Sequence, residues 1–293
     1  MKPVRKVVIP VAGHGTRVLP ATKSTPKELL PLVDRPLIDY VVNEAFEAGI
    51  EHVVLVTGRG KGAIEDYFDH AFELEAGLEA KKKTAILESV QNVIPKAGAL
   101  SYTRQQAPLG LGHAVWCARD IVGDEPFAVS LPDVVIAGAG DGKPACLAQM
   151  IGEYEKTGGN IIAVEEVDRQ ETDKYGVVAP KGERQGRLFE MSGMVEKPAP
   201  ADAPSNLAIT GRYILQPEIF KLLETTPRGA GGEIQLTDAM DALMKDQHFY
   251  AYEYEGESHD CGDKLGWMKA NVALGLKRPE FAEPLRDFLK NAV

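Results

Sequence analysis

Residues 6–56, KVVIPVAGHGTRVLPATKSTPKELLPLVDRPLIDYVVNEAFEAGIEHVVLV, decide the fold. The Val-rich runs at its two ends, KVVIPV (6–11) and VVLV (53–56), are short and uninterrupted, the pattern of strands buried on both faces of a mostly parallel sheet. Between them Leu37, Ile38, Val41, Val42, Ala45 and Phe46 recur at helical spacing. Pro36 suits the first helical position and Gly49 the left-handed stop, so the segment reads as a βαβ unit. Further out, strand-like runs at 127–131, 160–164, 207–215 and 249–254 are interleaved with helical patterns near 112–121, 144–156 and 235–245. This alternation predicts an α/β sandwich.

Composition narrows the function. At 293 residues and 44% hydrophobic content the chain suits one large α/β unit with a sizeable core. Lys and Arg number 33 against 43 Asp and Glu, a net charge of −10, which disfavours a general nucleic-acid binder and makes any basic patch stand out. The N-terminal apolar run, Val7 to Ala12, is too short for a signal-peptide core or a membrane span. Cys117, Cys146 and Cys261 lie far apart without CxxC spacing, which suggests neither a disulfide framework nor a structural zinc site. A cytoplasmic, thiol-reduced protein without nucleic-acid or membrane partners is expected. The Pro/Ala-rich stretch KPAPADAPSN (197–206) reads as an exposed connection, and no internal repeat is found.

The chemistry begins at the first loop. Residues 12–35, AGHGTRVLPATKSTPKELLPLVDR, separate the first strand from its helix, where βα loops ordinarily need about 2 to 6 residues. Within 12–31, Arg17, Lys23 and Lys27 face a single acid, Glu28, forming a cationic island in an acidic chain. Gly13 and Gly15 remove side chains where backbone N–H groups can approach an anion, and Thr16 adds a hydroxyl donor. Such a loop suits a polyphosphate; the plain alternative is a turn with solvated charges. Two better-known phosphate motifs fail here. GHGTRV lacks the third small residue of G-x-G-x-x-G/A, and Lys23-Ser24 lacks the preceding Gly of a Walker A loop.

AGHGTRVLPATKSTPKELLP resembles the signature of the sugar-1-phosphate nucleotidyltransferases, G-x-G-T-R…P-K, and TKSTPKELLP is most similar to bacterial members that use UTP and glucose-1-phosphate. RQQAPLGLGHAV, LPDV, YGVV, VEKP, ITGRY and DCGDKLG follow in the family's order, so the likeness spans residues 12–266. It implies an α/β, Rossmann-like three-layer sandwich with a mixed, mostly parallel sheet and helices on both sides, of the nucleotide-diphospho-sugar transferase type, with Mg²⁺ as cofactor and a homo-oligomer, dimer or tetramer. As one domain, 1–293, the chain would divide into a nucleotide-binding half at about 1–135, a sugar-phosphate-binding half at about 136–265 and a C-terminal helical segment at about 266–293. Carried over residue by residue, the resemblance sets Arg17 and Lys27 against the triphosphate, with Ala12, Gly13, Gly15, Thr16 and Glu28 around the nucleotide. It assigns the base to Gln105 beside Gly110, the metal to Asp133 and Asp260, and the sugar phosphate to Gly176, Glu196, Lys197 and Gly211. Arg17, Lys27, Asp133 and Lys197 are the expected catalytic set.

The residues themselves bear on these roles. Asp133 follows the apolar run FAVSL and Pro132, just beyond a strand end, where open α/β sheets bind ligands; a hard oxygen there suits Mg²⁺. Asp263 competes with Asp260, and the residues alone leave that choice open. Gln105 carries both the donor and the acceptor needed to read a uracil or thymine imide edge, and Gly110 allows close backbone approach. His113 reads as a cap or packing residue. Glu196 and Lys197 precede Pro198, and adjacent extended residues point to opposite sides, so a site using both must bend there. Gly176 and Gly211 would open backbone groups to sugar hydroxyls. UTP against dTTP, and glucose against another hexose, leave no unique spacing.

Two other classes are kept. VVLVTGRGKGA (53–63) satisfies G-x-G-x-x-A after a strand, the fingerprint of a dinucleotide-dependent oxidoreductase. Against it, Lys81-Lys82-Lys83 stand where a strand ending in a ribose-holding acid would be required. A non-catalytic nucleotide-sugar-binding protein would keep the pocket yet could dispense with Arg17, Lys27, Asp133 or Lys197, all of which are present.

Overall fold

The computed structural model describes residues 1–138, 143–184 and 186–292; Val293, the end of the expected C-terminal helix, lies outside them. Its strands are β1 (Lys6–Pro10), the short pair β2 (Pro31–Leu32) and β3 (Arg35–Pro36), β4 (His52–Thr57), β5 (Leu100–Arg104), β6 (Phe127–Ser130) and β7 (Val134–Gly138). They continue as β8 (Asn160–Glu166), β9 (Gly176–Pro180), β10 (Leu188–Glu196), β11 (Leu207–Leu215), β12 (Phe249–Glu253) and β13 (Gly256–Asp260). Nine of them form one sheet in the order β5-β4-β1-β6-β11-β8-β12-β10-β9. Among the described residues, β10 and β11 alone in this sheet run against the direction of β1, so it is mixed with most strands aligned.

The central strands are buried on both faces, as their composition demands. Val8, Val54, Val56 and Val129 enter one core with Val115, Phe220 and Met240, while Val7, Ile9, Val53 and Leu55 enter another with Ile38, Val42, Leu147 and Met150. Each such side chain, fully withdrawn from water, contributes roughly 1.5–3 kcal/mol. The helix Leu37–Glu47 forms as expected, with Pro36 one position outside it in extended conformation and Gly49 beyond its end at φ 87°. The helix expected near 112–121 is instead two, Leu111–Trp116 and Arg119–Val122. The chain tightens between them, where Ala118 N–H bonds the Val115 carbonyl.

Strand order positions the site. From β1 the chain moves outward to β4 and β5, then returns to β6 on the other side of β1, so the order reverses between β1 and β6. Loops leaving the carboxyl ends of strands at such a reversal enclose the ligand crevice of open α/β sheets. Here those loops are residues 12–30, after β1, and residues 131–133, after β6. A third apolar cluster of Val18, Leu30, Leu32, Leu37, Val135, Cys261 and Ala270 ties the first loop to the helix Lys264–Lys277. Trp267 packs against that cluster and donates to the Pro31 carbonyl at 3.0 Å, whereas Met268 stays exposed.

Candidate active site

The first loop is a chain of tight turns, Thr16–Val18, Ala21–Lys23 and Lys27–Leu29. Gly15 makes the first of them possible: it adopts φ 65°, and a Cβ on it would lie 3.0 Å from the Lys27 Cβ. Thr22 closes the loop by donating to the Gly15 carbonyl at 2.7 Å. Gly13 keeps open space, its nearest neighbour being the Lys27 Cε at 3.9 Å from where a Cβ would stand. Ala12, Gly13, Gly15 and Thr16 thus lie on one bend beside Lys27, while Lys23 is exposed at the end of the second turn.

Lys27 reaches across the strand reversal. Its Nζ lies 2.6 Å from Asp133 Oδ2, with both side chains mostly buried, and the largely exposed Arg17 guanidinium approaches the same oxygen at 3.5 Å. Burial pushes the Asp133 carboxyl up, but Lys27 and then Arg17 outweigh it and hold the group below the usual carboxylate range. The segment carrying Asp133 is itself clamped. The buried Arg212 guanidinium donates to the Leu131 and Val134 carbonyls at 3.1 and 2.8 Å and is paired with Glu44 at 2.7 Å.

Glu28 is not open to a ligand as a free surface carboxylate would be. It is 1% exposed and pairs with buried Lys61 at 2.7 Å. Burial pushes its carboxyl up against the pull of Lys61 and Lys27, and Oε1 has no hydrogen-bond partner. Lys61 is the lysine of GRGKGA, so the glycine-rich turn that imitates a dinucleotide fingerprint serves as backing for the first loop. Gly58 makes the fit possible, since a Cβ there would stand 3.2 Å from the Ala12 carbonyl oxygen.

Gln105 follows β5, its N–H bonded to the Thr57 carbonyl at the end of β4. Its Nε2 lies 3.0 Å from the Gly110 carbonyl oxygen and 3.1 Å from His113 Nδ1. Gly110, at φ 100°, admits the segment 233–234 so closely that a Cβ would fall 2.6 Å from the Glu233 Cβ. Its missing side chain therefore serves close packing on that side.

Beyond Asp133 opens a cavity of about 520 Å³, within the usual range for ligand pockets. Arg17, Asp133, Gly176, Glu196, Lys197, Gly211 and Asp260 all line it, so the structure brings both halves of the predicted set to one cleft. The bend required between Glu196 and Lys197 is present: Lys197 has φ 47°, unusual for a residue with a side chain, and its N–H bonds the Tyr175 carbonyl. Glu196 Oε2 accepts from Thr237 at 3.4 Å, and Lys197 Nζ, largely exposed, lies 3.6 Å from Glu196 Oε1. The two sugar-side glycines line the cavity and also pack closely. A Cβ on Gly176 would meet Ile209 at 3.0 Å, and one on Gly211 would meet Leu131 at 2.9 Å, so both allow close packing of the cavity walls.

The two acids left open by the sequence are distinguished by their contacts. Asp263 is exposed and caps the helix Lys264–Lys277, accepting from Gly266 N–H at 2.9 Å. Asp260 lines the cavity, accepts from Gly262 N–H at 2.8 Å, and has its carboxyl raised by burial and by the nearby charge of Asp133. A pair of mutually repelling carboxylates, each with one oxygen already bonded within the protein, fits a divalent cation that takes its remaining ligands from phosphates. Among the described residues no cluster of three or more His, Cys, Asp or Glu side chains offers an all-protein metal site.

Several lining residues escaped the sequence reading. Thr237, Glu165, Lys174 and Tyr175 also line the cavity. Glu165 lies near the end of β8, a strand-end acid of the kind that singled out Asp133, and Lys174 and Tyr175 directly precede Gly176. Thr237 sits near the start of the helix Leu236–Leu243 and gives no local signal.

A strand reversal that joins a glycine-bent cationic loop to a carboxylate, beside a cavity with a second lysine, defines a nucleotide-handling α/β enzyme. The model of the nucleotidyl transferase family matches residues 6–275, and the chain belongs to that family. It is 49% identical over 290 residues to the UTP–glucose-1-phosphate uridylyltransferase of Bacillus subtilis, covering 99% of this chain and 97% of the relative. Among solved structures it resembles a UTP-bound UGPase from Acinetobacter baumannii, with TM-score 0.90, 45% identity and 98% of each chain covered. It also resembles a UDP-glucose pyrophosphorylase complexed with UDP-glucose, with TM-score 0.85 and 44% identity, covering 94% of this chain and 100% of that one. The dinucleotide-dependent oxidoreductase is thereby set aside.

Proposed function

We propose that the chain transfers the uridylyl group of UTP to glucose-1-phosphate, forming UDP-glucose and pyrophosphate. The observation that carries this reading is the Lys27–Asp133 contact at 2.6 Å, which joins the phosphate loop to the cavity holding Glu196 and Lys197. Near full-length similarity to proteins named for that activity supports it, as does the likeness to structures with UTP and with UDP-glucose.

In this mechanism a phosphate oxygen of the sugar phosphate attacks the α-phosphorus. A new P–O bond forms as the bond to the bridging oxygen breaks, and pyrophosphate leaves. No protein nucleophile is required. The difficulty is charge: two unit charges 4 Å apart repel by about 4 kcal/mol at an effective dielectric near 20. Lys27 and Arg17 offset the charge that grows on the departing pyrophosphate, and the bend at Ala12, Gly13, Gly15 and Thr16 offers backbone and hydroxyl donors to the triphosphate. Glu28 adjoins the nucleotide from the buried side of the loop, and Gln105, beside Gly110, reads the base. Lys197 takes the incoming sugar phosphate, with Glu196 on the sugar hydroxyls and Gly176 and Gly211 in the wall. Asp133 and Asp260 would hold Mg²⁺, which when bound supplies positive charge to the phosphate oxygens.

The same reading makes the chain a Rossmann-like three-layer sandwich, one domain whose nucleotide half spans about 1–135 and sugar half about 136–265. The C-terminal helices then offer a homo-oligomer contact, supported by exposed Met268, Phe281 and Phe288. A cytoplasmic setting is supported by three free cysteines and by the absence, among the described residues, of a helix long and apolar enough to cross a membrane. A panel of nucleoside triphosphates and sugar-1-phosphates assayed for pyrophosphate release tests the function. UTP with glucose-1-phosphate should give the highest kcat/KM, and a clear preference for dTTP or another hexose phosphate would replace it with a sister activity.

A further inference from the structure

Gln105 has its amide nitrogen bonded within the protein. Its Nε2 faces the Gly110 carbonyl oxygen at 3.0 Å and His113 Nδ1 at 3.1 Å, one partner for each amide hydrogen. A carbonyl can only accept, so the Gly110 contact identifies the amide atom there as nitrogen and leaves its second hydrogen to His113. The second contact requires the His113 ring to present a bare Nδ1, and burial lowers the tendency of that ring to take up a proton. The ring is held in place by stacking on Trp116, with centroids 5.8 Å apart, and by the Cys117 sulfur 3.9 Å from Nδ1. Both amide hydrogens being used, Oε1 is the polar atom of the amide left to meet a base.

We infer that His113 is a positioning residue for base selection: it locks the Gln105 amide with its carbonyl outward, so that Gln105 accepts the N3–H of a uracil or thymine. This rests on the proposed role of Gln105 as base reader, and it narrows that role. A locked amide offers only its acceptor, leaving the carbonyl oxygens of the base to backbone N–H groups. Cytosine, whose N3 accepts, would then meet acceptor against acceptor, so the lock selects imide pyrimidines and turns CTP away.

The test compares kinetics with UTP and CTP for the full-length enzyme and for His113→Phe, His113→Gln and Gln105→Ala, with thermal unfolding of each. His113→Phe keeps a ring against Trp116 but cannot accept. It should raise the UTP KM and lower the UTP-over-CTP ratio of kcat/KM, each by about tenfold. The kcat with UTP and the KM for glucose-1-phosphate should stay within about twofold, since only the amide is unlocked. His113→Gln, whose amide oxygen can accept, should recover most of the preference. If Gln105→Ala loses the preference while His113→Phe keeps it, the positioning role is overturned and the base reader stands. If Gln105→Ala keeps it, the base-reader reading itself falls. A uniform loss of kcat and of affinity for both substrates in His113→Phe also overturns the proposal, as a merely structural effect. Should that variant not fold, ¹⁵N NMR of the wild-type histidines decides: a bare Nδ1 on His113 is expected, and a protonated Nδ1 contradicts the lock.

Discussion

The nucleotide side and the sugar side of the cleft carry similar charges but hold them differently. On the nucleotide side Lys27 is 16% exposed and already bonded to Asp133. On the sugar side Lys197 is 61% exposed, with its Nζ 3.6 Å from Glu196. The difference in burial is a difference in preorganisation. A cation fixed before the reaction can stabilise developing charge without reorganising, whereas a free arm chiefly captures an anion as it arrives. Arg17 falls between the two, 64% exposed yet within 3.5 Å of Asp133. Rate should therefore be controlled from the nucleotide side and sugar affinity from the other.

Lys27→Ala should break this asymmetry most severely. Loss of a fixed transition-state donor costs about 10²- to 10³-fold in kcat, with kcat/KM falling alongside it. Steady-state kinetics with saturating glucose-1-phosphate would measure it. Arg17→Ala should act in the same sense but less strongly, by roughly tenfold or more, because its guanidinium is less held. If both variants changed only the UTP KM, the nucleotide side would be a binding surface and the contrast would vanish.

A divalent cation held by Asp133 and Asp260 would sit between the two sides. Activity should need Mg²⁺, disappear with a chelator and return with excess Mg²⁺, and Asp260→Asn should raise the Mg²⁺ concentration needed for half-maximal rate. Asp263→Asn should leave that requirement unchanged, because Asn can still cap the helix that Asp263 caps. The reverse order would move the ligand to the helix start.

Smaller effects follow on the sugar side. Lys197→Ala should raise the KM for glucose-1-phosphate about tenfold while leaving UTP binding nearly intact, since a lost hydrogen bond to a charged group is worth about 1.5–3 kcal/mol. Equal losses for both ligands would show that the lysine spans the cleft. Lys23→Ala should change kcat by less than about twofold, as for a solvated surface cation. A defect as large as that of Lys27→Ala would mean that total loop charge matters and position does not.

These two sides also differ in how far the sequence revealed them. The nucleotide side was legible because its glycines and cations occupy one uninterrupted loop between a Val-rich strand and an amphipathic helix. The sugar side joins residues from β9, β10 and β11 and from the helix Leu236–Leu243, so without the family resemblance its members read as isolated turns or ion pairs. Strands β5 and β13 were missed for a physical reason. LSYTR lies at the sheet edge and GESHD, among the described residues, pairs only with β7, so neither carries the apolar run that marked β1 and β4. Buried polar pairs were illegible altogether: Arg212 and Glu44 are 168 residues apart, and nothing local in either signals the other. The GRGKGA turn pulled in the opposite direction, because a segment that backs the first loop has the spacing of a dinucleotide fingerprint.

With both sides meeting in one cleft, uridylyl transfer should pass directly from UTP to the sugar phosphate. Exchange of labelled pyrophosphate into UTP, measured with Mg²⁺ in the presence and absence of glucose-1-phosphate, tests it most directly. Label should enter UTP when glucose-1-phosphate is present and stay out when it is absent, because the reverse reaction needs UDP-glucose in the site. Exchange without the sugar phosphate would require a uridylyl group held on the chain itself, and no exchange under either condition would remove the transfer reaction altogether.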